Sequence, residues 1–276
     1  MSPVSAAEQC LRDGDPLAAL PQLQEAVRAN PADTKLRIFL FQLLSVLGQW
    51  ERALNQLNVA AELDPVALAM AQMYREAIRC EMFRSEVFAG KKSPVVFGAP
   101  DQWIALLIES LVSAPDATQS RTLRAQAFEA APTSSGSING ERFEWIADAD
   151  MRLGPVCEAV INGQYYWVPF ERLSRIELEP PADLRDVVWM PAHFQFANGG
   201  ETVGVIPTRY PGSEGSDDAQ ICLGRKTHWV EGPPEVFSGL GQRVLTTDSG
   251  DHALMDIRTI LIGDAATDQA QPTTYA

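Results

Sequence analysis

The chain has 276 residues, room for about two domains of ordinary size. Apolar residues make up 46% and charged residues 21%, which is too apolar for a disordered chain. With 36 acidic against 22 basic residues the formal charge is −14, and so acidic a surface repels phosphate backbones and anionic lipid, excluding nucleic acid and membranes as first expectations.

The chain opens on Met1 to Glu8, which has neither the basic stretch nor the apolar stretch of a secretory leader. A 34-residue repeat then fills the first 65 residues. Gly14 pairs with Gly48, Ala19 with Ala53, Leu20 with Leu54, Gln22 with Gln56, Leu23 with Leu57, Ala26 with Ala60 and Pro31 with Pro65. The glycines suit the tight turn between two antiparallel helices, and the small alanines permit close helix approach. Asn30-Pro31 and Asp64-Pro65 end the second helix of each copy, because proline forces the residue before it out of the helical region. This pattern resembles the tetratricopeptide repeat, with copies over about 1–33 and 34–67; Pro16 stands where that repeat usually has an aromatic residue, a place a first helical turn accepts.

Residues 66–88 read as one long capping helix, with Leu68, Met70, Met73, Ala77, Ile78 and Met82 at helical intervals. Residues 90–100, with two glycines and two prolines, read as a boundary. Two further helices are predicted over 101–130: Asp101 to Val112, with Trp103, Leu106, Leu107, Ser110 and Leu111 along one face, and Ala117 to Ala130. The helical domain is therefore expected to span residues 1–131. Its longest apolar runs, Ile38 to Leu44 (broken by Gln42) and Trp103 to Ile108, fall far short of the roughly 20 residues that cross a bilayer.

From Ile138 the texture changes to short β-forming runs separated by glycine and proline. Asn162-Gly163 between Val160-Ile161 and Gln164 to Val168 is a strong hairpin signal. Further strands are predicted at Val187 to Met190, Thr202 to Pro207, Gln242 to Thr247 and His252 to Ile262, the last two joined by a turn at 248–251. A β-rich domain over 138–263, as a small barrel or compact unit, completes an α+β chain, with 264–276 as a polar, frayed tail.

Candidate chemistry is sparse. His193, His228 and His252 are far apart and lack metal-ligand spacing. Asp148 and Asp150 with a histidine are the least poor residues for a metal-dependent hydrolase, but a turn-capping or salt-bridging role explains the two aspartates better. The loop 212–216 is not G-x-S-x-G, and Gly239-Leu240-Gly241 lacks the third glycine of a dinucleotide fingerprint. Trp145, Trp167, Trp189 and Trp229 either fill a sheet core, with their indole N–H groups on backbone carbonyls, or line a pocket. Arg209-Tyr210-Pro211, followed by acidic residues at 214–218, reads as a loop pinned by an arginine pair or as a peptide-recognition element. Cys10, Cys80, Cys157 and Cys222 have no paired spacing, which fits reduced, buried thiols in a cytoplasmic protein. No catalytic residue and no cofactor is assigned.

Several stretches of the second half resemble one family in particular. They are Phe143 to Asp150, Arg152 to Pro155, Asn162 to Phe170, Asp183 to Trp189, Arg209 to Ser213 and Gly239 to Arg243. Together with the repeats they are similar to the ImpE (TagJ) family of type VI secretion accessory proteins, over nearly the whole chain to about Ile262. That resemblance implies a non-enzymatic cytoplasmic adaptor, which binds the N-terminal helix of the sheath small subunit (TssB) and is thereby linked to the ClpV ATPase that recycles contracted sheaths. It carries no established catalytic residues.

The repeat register also places a candidate site. Lys35, Ile38, Gln42 and Ser45 lie one turn apart on the inner face of the second repeat's first helix, and adding 34 gives Ala69, Gln72, Glu76 and Arg79 on the next. The strip has an apolar centre and charged ends, and is either the solvated inner wall of a short repeat array or a surface suited to an amphipathic helix. Repeat domains that grip acidic peptide tails use a basic clamp, whereas Lys35 and Arg79 here are mixed with Glu76. A generic peptide-binding repeat scaffold is the alternative reading.

Overall fold

In the computed structural model, which describes residues 2–232 and 236–263, the repeat forms two helical hairpins. They are α1 (Pro3–Arg12) with α2 (Pro16–Ala29), and α3 (Thr34–Val46) with α4 (Trp50–Leu63). Gly14 and Gly48 take the left-handed conformation at the two turns, with φ of 85° and 65°. Asp15 and Asp33 cap the helices that follow them: Asp15 accepts from the Ala18 amide, Asp33 from those of Lys35 and Leu36. Ala19, Ala26, Ala53 and Ala60 are all buried.

A short 3-10 turn, Pro65–Ala67, leads into α5 (Leu68–Phe88). Its buried residues are Ala71, Tyr74, Ala77, Ile78, Cys80, Arg84 and Val87. Leu68, Met73 and Met82, part of the apolar periodicity that predicted the capping helix, are about half exposed. Apolarity alone misjudged the face, because the buried side includes an arginine held by a buried carboxylate. After β1 (Val95–Val96) come α6 (Gln102–Val112) and α7 (Ala117–Ala130), within a residue of their predicted bounds. Val95 and Val96 pair in parallel with Tyr166 and Trp167, so the 90–100 stretch also supplies an edge strand.

The second half begins with β2 (Gly136–Ile138), β3 (Glu141–Phe143), β4 (Ile146–Asp148), β5 (Val156–Ile161) and β6 (Gln164–Pro169). It continues with β7 (Leu173–Leu178), β8 (Trp189–Phe196), β9 (Glu201–Pro207) and the short α8 (Ala219–Cys222). It closes with β10 (Thr227–Gly232), β11 (Val236–Gly241), β12 (Val244–Thr247), β13 (Asp251–Ala253) and β14 (Thr259–Ile262). Nine strands form one sheet in the order β1-β6-β5-β9-β8-β7-β14-β2-β3, antiparallel except at β1–β6. β10–β11 is a separate ribbon, and β13-β12-β4 a small third sheet. The β5–β6 hairpin turns at Asn162 and Gly163, both with positive φ, as the Asn-Gly pair predicts.

The expected strand from His252 to Ile262 is instead two short strands in different sheets, split by a 3-10 turn at Leu254–Asp256. Leu254, Ile257 and Ile260 all enter the same core. A spacing of three cannot keep side chains on one face of a strand, so the turn is required. The predicted tail, 264–276, lies outside the described residues.

Two apolar cores result. One lies inside the β-rich half. The other joins the halves: Leu23, Phe41, Leu44, Leu57 and Tyr74 of the repeats share it with Trp167, Trp189 and Val205 of the sheet. Trp189 is central, its ring 5.5 Å from that of Tyr74 and 6.0 Å from that of Trp50. Trp167 and Trp189 are thus core residues, whereas Trp145 and Trp229 remain over a third exposed. The buried indoles donate to side chains, Trp167 to the Tyr165 hydroxyl and Trp189 to Glu81, rather than to the backbone carbonyls expected. Trp189→Ala should cost about 3–5 kcal/mol. Because its cavity opens between repeats and sheet, urea unfolding followed by far-ultraviolet circular dichroism should show both helical and strand signals shifting together to lower denaturant.

Candidate partner-binding site

Charged residues in the shared interior decide where the helices sit. Glu158 of β5 is fully buried. Arg84 of α5 meets it with two bonds, Nε to Oε1 at 2.6 Å and Nη2 to Oε2 at 2.9 Å. The Tyr165 hydroxyl and Arg243 Nη2 donate to the same carboxylate. Against the cost of burial, Arg84 and Arg243 hold the Glu158 carboxyl down to about 2. Arg243 also pairs with Asp148, whose other oxygen accepts from the Tyr210 hydroxyl at 3.0 Å. Burial, with Asp150 beside it, pushes the Asp148 carboxyl up to about 6 against the pull of Arg243. Asp150 in turn accepts from Arg152 and from the Gly239 amide. Asp148 and Asp150 therefore act as ion-pair partners, and among the described residues no group of three or more His, Cys, Asp or Glu side chains is placed to hold a metal ion. Cys10, Cys80, Cys157 and Cys222 are free thiols.

The loop after β9 ties the sheet to the repeat helices. Arg209 is buried and donates to the carbonyls of Val46, Ser45 and Cys222, so it caps the C-terminal end of α3 instead of pairing with the acidic 214–218 stretch. Arg225 does the same for α1 through the Leu11 carbonyl at 2.7 Å. Helix C-terminal carbonyls carry partial negative charge and lack partners in their own helix, which makes an arginine a favourable cap. Gly48 leaves room for this loop: a Cβ there would lie 2.4 Å from the Glu214 side chain.

That attachment changes the predicted strip. Ser45 is fully buried and Gln42 nearly so, and Arg209 of the sheet half donates to the Ser45 carbonyl. Lys35 and Arg79 are exposed, and Ile38 is half-buried. Ala69, Gln72 and Glu76 line an open groove of about 780 Å3, whose opposite wall is the sheet. From that wall come Glu177, Pro191, His193 and Val203, while Val160 and Val205, which also belong to the shared core, line it too. The local period placed α3 and α5 correctly, but it gave no sign that Gln42 and Ser45 are buried. The sheet wall was missed altogether.

The ImpE protein family matches residues 140–261, and a tetratricopeptide repeat family matches residues 11–76. The type VI secretion system accessory component TagJ of Pseudomonas aeruginosa is 49% identical over 258 residues, covering 92% of this chain and 90% of its own. The chain belongs to the ImpE/TagJ family. A crystal structure of a Vibrio parahaemolyticus protein, 27% identical, superposes with a TM-score of 0.85 over 93% of this chain and 97% of that one. Within this ImpE/TagJ chain, the stretches that carry the family resemblance supply Asp148, Tyr165, Trp167, Trp189, Arg209, Tyr210 and Arg243. They build the interior that seats the repeats. No helix among the described residues is long and apolar enough to cross a membrane.

Removing one side of a buried ion pair strands the other, at a cost of about 3–5 kcal/mol. Glu158→Gln should therefore lose about that much stability near neutral pH. The depressed Glu158 carboxyl stabilises the fold above its ordinary value of 4.5, and the effect is lost as pH falls from there through about 2. Denaturant titrations of both proteins should show their stability difference shrinking across that window.

Proposed function

We propose that the chain is an accessory adaptor of a bacterial type VI secretion system, working in the cytoplasm by binding rather than by catalysis. The observation that carries this reading is the match to the P. aeruginosa accessory component TagJ along nearly the full length of both chains. The repeat hairpins, whose α5 wall stays open beside the sheet, support a role in peptide recognition. The partner is the N-terminal helix of the sheath small subunit, TssB, through which the adaptor is linked to the ClpV ATPase.

The helix binds along the part of the predicted strip that stays open: Lys35 and Ile38 on α3, and Ala69, Gln72, Glu76 and Arg79 on α5. So short a contact fits a dissociation constant of about 1 μM, carried by one or two anchors. Titration calorimetry of the intact protein with a synthetic peptide of that helix should show binding in this range. Ile38→Asp, at a half-buried position, should weaken it about tenfold or more while thermal unfolding stays cooperative. A peptide that fails to bind the unaltered protein would end the adaptor reading.

A further inference from the structure

The groove has a second wall that the repeats do not supply. We infer that the outer face of β7–β9 is half of the docking site, and that the site selects an amphipathic helix whose apolar stripe is flanked by lysine or arginine. This rests on the adaptor reading and assigns the chemistry of its partner.

Three features define the occupant. The first is the backbone. β9 lies between β5 and β8, and β8 between β9 and β7, so the strands under the groove have no free edge to which an extended peptide could add. What a sheet face accepts is a helix, and α5 already lies on this face, sharing its core with Val160 and Val205. The volume of about 780 Å3 matches about two turns of a helix treated as a cylinder roughly 10 Å across. The second feature is apolar surface left unpartnered on both walls: Met73 on α5 is 46% exposed and Val203 on β9 is 71% exposed. An exposed branched aliphatic in mid-strand, facing an exposed methionine across a groove, suits an apolar stripe with anchors about one turn apart.

The third is charge. The lining includes Glu76, Glu177 and Glu179 and no lysine or arginine. Glu76 pairs with Arg79 and Glu177 with Arg175, both partly exposed pairs of the kind that are weak and exchangeable. Glu179 is exposed and has no cationic partner among the described residues. His193 lies between Glu177 and Glu201, at 3.5 and 3.6 Å, and so sets a fourth carboxylate, Glu201, next to the groove. An acidic rim around an apolar floor repels an acidic helix and steers a basic one, with a strength that falls as salt screens it.

The test uses the full chain, the sheath-subunit helix peptide and two variants outside the shared core, Val203→Asp and Glu179→Lys. Calorimetry at about 50 and 300 mM salt should show the unaltered protein binding several-fold more weakly at the higher salt. Val203→Asp should lose about tenfold or more in affinity at both concentrations. Glu179→Lys should weaken binding mainly at low salt, so that its salt dependence is shallower. If the peptide binds and Ile38→Asp abolishes binding while both sheet variants bind like the unaltered protein, the sheet wall is not part of the site and the adaptor reading stands. Affinity that rises with salt would overturn the basic partner. No binding by the unaltered protein would overturn both.

Discussion

A carboxylate at zero exposure, far from either terminus, holds this molecule in one shape. Glu158 is reached by Arg84 from the repeats, by Arg243 from the end of the sheet half and by Tyr165 from the neighbouring strand. Burying such an ion costs several kcal/mol, repaid only when geometry is good and the remaining lone pairs are satisfied. Both conditions are met here, since Arg84 forks onto both oxygens and its spare donors reach the Arg209 carbonyl and Glu81. An apolar core tolerates sliding between layers. A forked arginine on a buried carboxylate does not, so the register of α5 on the sheet follows from this cluster.

The same constraint explains an unusual use of repeats. Helical repeats stack only on neighbours, and an array of two hairpins leaves an apolar flank that needs a cap. Here α5 covers the end of the array, and the sheet covers much of its inner face through Trp189 and the arginines that cap α1 and α3. The surface that an isolated array would offer to a ligand is therefore largely occupied by the chain's own second half. What stays open is the margin beside α5, bounded by sheet.

Features that depend on nearby residues were legible in the sequence. Gly14, Gly48 and the alanines of the repeat act within one hairpin, and Asn162-Gly163 acts within one turn, so pattern alone located them. Arg84, Arg209, Arg243 and Glu158 act across separations of 74 to 164 residues, and a charged side chain gives no local sign that its partner is remote. One signal was present. Val156 to Ile161 is apolar on both faces except for Glu158, the texture of a strand covered on both sides, where a lone acid must be paired. Likewise Gln42 and Ser45, polar within the apolar run of α3, marked a face that is covered rather than solvated.

The groove and the buried cluster are continuous. Along a strand, residues two apart share a face, so Val160 in the groove and Glu158 in the cluster point to the same side of β5. Along a helix, residues seven apart share a face, so Ala77 at the groove and Arg84 at the cluster lie on one stripe of α5. The Asn162-Gly163 turn joins them at one end, with Gly163 close against Glu76 and its carbonyl accepting from the Cys80 thiol at 3.4 Å. The distance between the groove's walls is thus fixed by the pairs that bind α5 to β5. A site divided between two halves of a chain works as one surface only if the halves cannot shift, and the buried arginine–glutamate fork supplies that rigidity within about two helical turns of the groove.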